Sequence, residues 1–379
     1  MVRKLTLGIS GWRLHGQRTG IARYLLSIIE QLTPEIVQDR FASITVYTPR
    51  SLASSQIQLP AGVRERVLRS RLPLLPWENF RLGPAAGDDV VFYPAYSRAL
   101  AARGATVVTT HDATMKVVPT MFDRRARYLY APLYGWSARA ATVVLTTSEA
   151  ARRDIVAAWN VEGEKIRVTP LAAATSFAPL GDSADRGELR ATMLGEDVPY
   201  FLIVGKATGR RNIPELMRGF LAFKRQTTLP HRLLVTGPDY SIELARRTAD
   251  EIGVGDDVMT RPYVRDDELN VLYNCAEAFI TPSVYENGSL PVFEAQAAGT
   301  PVISVDTDGT REVTGGAALF MSALTAHEVA NALSTIAGDL ELRRDLSLRG
   351  LANSRQYSWE RCARETLDAC YDAAQMHRS

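Results

Sequence analysis

A chain of 379 residues, 46% hydrophobic and 23% charged, has an ordinary globular composition and is too long for one core, so two domains are expected. No run approaches the roughly 20 apolar residues of a membrane span, and Met1-Val2-Arg3-Lys4-Leu5 enters a strand-like segment without a signal-peptide core. The three cysteines, Cys275, Cys362 and Cys370, have no metal-binding spacing, which makes a reducing cytoplasm the expected compartment.

Residues 5–9 read as a first strand, followed by a loop with Gly11, Gly16 and Gly20. Ile21, Tyr24, Leu25, Ile28, Ile29 and Leu32 then recur at helical spacing until Pro34. Further buried strands are expected at 43–47, 90–93, 106–110 and 142–146. Residues 170–198 show little periodicity and are read as an interdomain linker. A second alternation follows, with strands at 200–204, 233–236, 278–281 and 301–305 and a helix from about Pro214. The last helix, from Trp359, carries Cys362, Ala363, Thr366 and Cys370 on one stripe. Strands alternating with helices predict parallel sheets covered on both faces, hence an α/β protein with two Rossmann-like domains in series.

The net charge of +2 hides an asymmetry. Residues 1–180 hold 23 Lys and Arg against 13 Asp and Glu, a balance of +10, and the remainder holds 21 against 29. The first half suits an anionic surface. Nucleic acid is one candidate partner, but no nucleic-acid-binding motif accompanies the charge, and a membrane surface or phosphorylated lipid fits at least as well.

The densest chemistry lies in Tyr285-Glu286-Asn287-Gly288-Ser289-Leu290-Pro291-Val292-Phe293-Glu294. Two carboxylates eight positions apart flank a Gly-Ser loop that runs into a helix. Pro291 suits the first helical position, which puts Glu294 in the first turn. The amides of Gly288, Ser289 and Leu290 can cup a phosphate beside the positive helix end. Acceptors for hydroxyls next to a phosphate cup suit a nucleotide-sugar. The same residues also fit a plain loop with one exposed glutamate and one glutamate favourable to the helix dipole.

In open parallel sheets, ligands bind outside the carboxyl ends of the strands. Strand 200–204 runs into Gly205-Lys206-Ala207-Thr208-Gly209-Arg210-Arg211-Asn212, where Lys206 and Arg211 could grip a diphosphate. A solvated basic turn is the alternative. Strand 106–110 runs into His111-Asp112, where a histidine could donate to a sugar hydroxyl or phosphate, or serve the fold alone. Gly20 at the start of the first helix would let a phosphate approach.

Taken in order, these segments resemble glycosyltransferase family 4, in particular its mannosyltransferase-like members. Gly20-Ile21-Ala22-Arg23-Tyr24, His111-Asp112 and Ser148-Glu149-Ala150 resemble family segments. So do Gly205-Lys206 with Arg211-Asn212, Glu286 with Glu294, Gly299-Thr300-Pro301-Val302-Ile303 and Arg311-Glu312-Val313. The resemblance implies the GT-B architecture, two facing Rossmann-like domains with an interdomain cleft. Residues 1–175 would bind the acceptor, 195–357 the nucleotide-sugar donor, and the helix 358–379 would cross back to the first domain. It further implies that Lys206 and Arg211 hold the diphosphate, that Glu294 accepts from the ribose, and that Glu286 binds the transferred sugar near the amides of 288–290. His111 would reach the sugar or phosphate, Gly20 would line the phosphate site, and Tyr263 and Val264 would lie near the base. The chain departs from the family where Asn287-Gly288-Ser289 replaces Gly-Phe-Gly, which opens the question of donor identity.

The implied chemistry is a retaining, front-face transfer that needs no metal or other cofactor beyond the nucleotide-sugar, with domain closure excluding water. GDP-mannose is the first expectation for the donor, with a UDP-sugar as alternative, and a glycan or lipid-linked acceptor of surface polysaccharide synthesis the expected partner. A glycoside hydrolase using Glu286 and Glu294 would leave the two cations without work. A GT-B epimerase and a non-catalytic nucleotide-sugar-binding scaffold are the other rivals. Arginines interleaved with Leu72, Leu74, Leu75 and Trp77, and with Tyr128, Tyr130, Tyr134 and Trp136, could lie on anionic lipid, or be a solvated face over a core. No nucleic-acid partner is expected, and localisation is expected to be cytoplasmic with a peripheral place on the inner membrane face.

Overall fold

The computed structural model describes residues 4–16, 20–38, 40–181, 183–207 and 209–378; Met1, Val2, Arg3 and Thr208, used above, lie outside them. Two compact units result, Met1–Leu171 with Ser358–Ser379, and Ala172–Tyr357.

In the first unit, β1 (Leu5–Ser10), β2 (Phe41–Thr48), β3 (Val63–Val67), β4 (Val90–Tyr93), β5 (Ala105–Thr109), β6 (Val143–Thr146) and β7 (Ile166–Val168) pair in the order β3-β2-β1-β4-β5-β6-β7. All pairings are parallel. The central strands β4, β5 and β6 are buried at every residue, which is why they read as short continuous apolar runs. The C-terminal helix Trp359–Arg378 buries Trp359, Cys362, Ala363, Thr366, Leu367 and Cys370 in this unit, the stripe expected from the sequence. Arg167 Nη1 bonds Asp372 at 2.7 Å, and Arg378 Nη2 bonds Asp89 at 2.7 Å.

In the second unit, β8 (Tyr200–Val204), β9 (Arg232–Gly237), β10 (Val258–Pro262), β11 (Ala278–Thr281), β12 (Val302–Val305) and β13 (Leu319–Met321) pair in the order β10-β9-β8-β11-β12-β13, again all parallel. Helix Ile213–Gln226 buries Leu216, Met217, Phe220 and Phe223 in a core shared with Val329, Leu333 and Ile336 of helix Ala326–Gly338. Each such side chain contributes roughly 1.5–3 kcal/mol by leaving water. A Cβ on Gly219 would sit 2.3 Å from Val329 Cβ, so glycine sets how closely these two helices approach.

Two readings of the sequence are corrected here. The aperiodic segment 170–198 contains the helix Arg186–Leu194, capped by Asp185, which accepts from the amides of Gly187 and Glu188, and closed by Gly195 in the left-handed conformation. The segments considered for lipid contact are partly core: Trp77 is fully buried, donating its indole N–H to Leu68 O at 3.2 Å, and Leu74 and Tyr134 are buried too. Phe80, Tyr128 and Leu129 do remain exposed. Among the described residues, no helix is long and apolar enough to cross a membrane.

Candidate functional site

Both sheets have the strand order 3-2-1-4 at their centre, so each has a switch point where connections leave in opposite directions, between β1 and β4 and between β8 and β11. The residues singled out in the sequence gather at these carboxyl ends.

In the second unit the turn after β8 opens with Gly205, whose φ of 106° excludes other residues without strain. The Arg211 guanidinium lies beneath it: Nη1 donates to Val204 O at 2.5 Å and would be 3.2 Å from a Cβ at 205. Arg211 is buried, and burial together with the charge of Arg210 lowers its affinity for its proton, while Glu286 opposes that shift. Lys206 on the same loop is exposed. Arg210 joins this loop to the next one. Its Nη1 lies 3.0 Å from Glu286 Oε1 and donates to Tyr285 O at 3.0 Å, while its carbonyl accepts from Val284 N at 2.9 Å. Arg210 was not singled out from the sequence, because two adjacent arginines are not distinguishable there.

Glu286, Asn287, Ser289 and Glu294 are all less than 5% exposed, an unusual concentration of buried polar groups. Asn287 Nδ2 donates to the Tyr285 hydroxyl at 2.8 Å, and Tyr273 donates to Glu294 Oε2 at 3.2 Å. Gly309 lets a neighbouring helix come close, since a Cβ there would be 2.1 Å from Glu286 O. The helix runs from Leu290 to Ala297 with Ser289 as N-cap. Pro291 is therefore its second residue, and Glu294 lies in the second turn, one step beyond the first turn expected from the sequence. Among the described residues, the amides of Gly288, Ser289 and Leu290 donate to no protein acceptor. Ser289 has φ −125° and ψ 100°, an ordinary extended geometry, so the replacement of glycine at this position costs no backbone strain. Tyr263 and Val264 follow β10 in a loop, with Tyr263 exposed.

In the first unit, His111 follows β5 and its Nε2 lies 3.0 Å from Pro94 O. A carbonyl only accepts, so Nε2 carries the proton and Nδ1 of the neutral ring is an acceptor. In this tautomer the neutral ring offers a ligand an acceptor at Nδ1. Burial is the main cause holding the His111 pKa below its ordinary value, with the Pro94 hydrogen bond and Asp112 opposing it. Tyr24 packs edge-on at 4.9 Å and Tyr96 at 5.4 Å. Tyr96 has φ 65°, rare for a bulky side chain, and its ring stacks on Tyr134 at 5.0 Å. At the switch point itself, buried Glu78 accepts from Ser10 Oγ at 3.0 Å and Ser97 Oγ at 2.6 Å. Burial pushes its pKa up to about 8, against the two hydroxyls and Arg13. Neither Tyr96 nor Glu78 has a local sequence signal; only the topology brings them here. Gly20 opens the helix Gly20–Glu30 and is exposed, with open space where a Cβ would stand.

Two Rossmann-ordered units, one with paired buried carboxylates and cations at its switch point, define the architecture of the GT-B glycosyltransferases. Residues 18–177 match the family model described as Glycosyltransferase Family 4, and residues 186–351 match Glycosyl transferases group 1. The chain belongs to glycosyltransferase family 4 and is a glycosyltransferase. It is 29% identical over 274 residues to the O-antigen chain mannosyltransferase B of Escherichia coli, covering 69% of each chain. It is 30% identical over 250 residues to the D-inositol 3-phosphate glycosyltransferase of Nocardia farcinica, covering 62% of this chain and 53% of that one. Among solved structures, sucrose-phosphate synthase from Thermosynechococcus elongatus superposes over 97% of this chain and 98% of its own, with a TM-score of 0.75 at 20% identity, which shows the shared fold.

Proposed function

We propose that the protein is a retaining mannosyltransferase that takes mannose from GDP-mannose and adds it to a hydroxyl of a glycan or lipid-linked acceptor. The observation that carries the donor site is the set Gly205, Arg211, Glu286 and Glu294 at the switch point between β8 and β11. The E. coli relative, named as an O-antigen chain mannosyltransferase, supports mannose and a surface polysaccharide.

In this reading Arg211 and Lys206 hold the diphosphate and balance its charge as it leaves, the electrostatic task a metal performs elsewhere. Glu294 accepts from the ribose hydroxyls. Glu286 and the amides of 288–290 orient the sugar, and His111 Nδ1 accepts from a substrate hydroxyl. The bond from the anomeric carbon to the phosphate breaks, the acceptor oxygen bonds on the same face, and its proton passes to the leaving phosphate. We assign the acceptor to the N-terminal unit. Its basic charge and exposed Phe80, Tyr128 and Leu129 support contact with anionic lipid.

The experiment is donor consumption with GDP-mannose and a panel of UDP-sugars, with and without chelator, on the acceptor glycan, followed by NMR of the new linkage. GDP-mannose turnover in chelator with an α-linked product supports the reading. Turnover of a UDP-sugar alone, a strict metal requirement, or inversion refutes the corresponding part. Sedimentation with anionic and zwitterionic vesicles tests the lipid contact, which fails if the two are indistinguishable at low salt.

A further inference from the structure

At the carboxyl ends of β1 and β2 the first unit holds a half-open cavity of about 440 Å³, lined by Leu14, His15, Gly16, Arg50, Ser54 and Ser55. That volume lies in the range of pockets that take a small ligand, ~300–1,000 Å³. The loop carrying His15 is tied to β2 by Gly11 N donating to Tyr47 O at 2.8 Å. His15 Nδ1 is 3.2 Å from Ser55 Oγ, and its Nε2 is buried with no hydrogen-bond partner among the described residues. When Ser55 donates to Nδ1, Nε2 carries the proton, and a buried N–H without an acceptor is costly. Arg50 is exposed, and no ion pair among the described residues includes it. The nearby carboxylate, Glu65, is engaged by Thr48 Oγ1 at 2.9 Å, Leu52 N at 2.8 Å and Ser51 Oγ at 3.4 Å. The Ser54 hydroxyl donates to Ser51 O at 2.6 Å. The donors left for a ligand are therefore the Arg50 fork and the His15 N–H, a pair suited to a phosphate oxygen.

We propose that this pocket binds a phosphate or diphosphate of the acceptor, so that the enzyme selects an anionic acceptor through Arg50 and His15. The inference rests on the assignment of the acceptor to the N-terminal unit.

The test is calorimetric titration of the full chain with pyrophosphate, with GDP present to occupy the donor site. Wild type is expected to bind, and Arg50→Ala and His15→Gln to bind at least tenfold more weakly, with Arg50→Lys between them because it keeps charge and loses the fork. GDP affinity and thermal midpoint are expected to be unchanged in all three, which separates pocket loss from misfolding. Equal pyrophosphate affinity in wild type and Arg50→Ala, or no pyrophosphate binding in wild type that binds GDP, overturns the proposal. Wild type that fails to bind GDP strikes the donor assignment instead, and the pocket is then judged on the pyrophosphate titration alone. Farnesyl diphosphate and glucose 1-phosphate distinguish the sources. Tighter binding of the first than of pyrophosphate identifies a lipid-linked diphosphate, and tighter binding of the second a soluble phosphorylated acceptor. Each supports the pocket when Arg50→Ala weakens it.

Discussion

The two switch points have the same strand order and opposite chemistry. Between β8 and β11, in the half of the chain with excess acidic residues, the Arg210–Glu286 pair, buried Arg211 and buried Glu294 gather at a helix start where the amides of residues 288–290 donate to no protein acceptor among the described residues. Between β1 and β4, in the half with excess basic residues, a buried acid is held by two serine hydroxyls and pushed toward its neutral form. The charge of a domain and the charge of its site are thus set independently. The first follows from exposed side chains, the second from the few groups the topology buries at the strand ends.

That comparison can be broken at either end. Arg211→Ala is expected to lower kcat/KM by about 10²–10³-fold, the cost of removing one preorganised donor to a leaving phosphate; steady-state kinetics that move less than tenfold would place the phosphate elsewhere. Glu78 gives the next effect. Its folded pKa of about 8 lies above the ordinary 4.5, so between these values the folded chain holds a proton that the unfolded chain has lost. Stability is then greatest below about pH 4.5 as far as this group is concerned, declines as pH rises to 8, and is level above, a loss on the order of 4–5 kcal/mol. Urea unfolding at pH 5 and pH 8 should show most of this difference in wild type and little of it in Glu78→Gln; identical slopes in both proteins would mean that Glu78 is ionised when folded.

Two smaller effects sharpen the picture. His111→Gln should lower kcat/KM about five- to tenfold, the worth of roughly one hydrogen bond. Because burial depresses the His111 pKa, the wild-type acid limb should lie below 6.5, where protonation removes the Nδ1 lone pair, and the variant should lack it. A limb above 6.5 would contradict the depression of the His111 pKa by burial. Ser289→Gly should change little: the serine backbone is already extended, so the glycine variant loses only about 0.5–1 kcal/mol through unfolded-state entropy, read as a small drop in thermal midpoint.

The central strands were legible because burial on both faces writes them as apolar runs. Residues 90–93, 200–204 and 278–281 were expected and found at the same bounds. Strands β3 and β10 were not, since an edge strand exposes one side and carries charge: β3 reads Val-Arg-Glu-Arg-Val, and β10 ends in Arg261 and Pro262. At the site, Glu286 and Glu294 were visible as a spaced pair on one loop and helix. Arg210, Glu78 and Tyr96 were not, because their partners lie 75 residues away in Tyr285, 68 residues away in Ser10, and at the end of the neighbouring strand in His111.

The most direct measurement is thermal stabilisation of wild type, Arg211→Ala and Glu294→Gln by GDP, UDP, dTDP and ADP, each with and without magnesium. The account predicts that GDP stabilises wild type without magnesium, by roughly 2.7 kcal/mol at 100 times its Kd, and that both variants lose most of that gain. Stabilisation by no nucleotide, or an equal gain in wild type and both variants, would contradict a nucleotide site at the β8–β11 switch point.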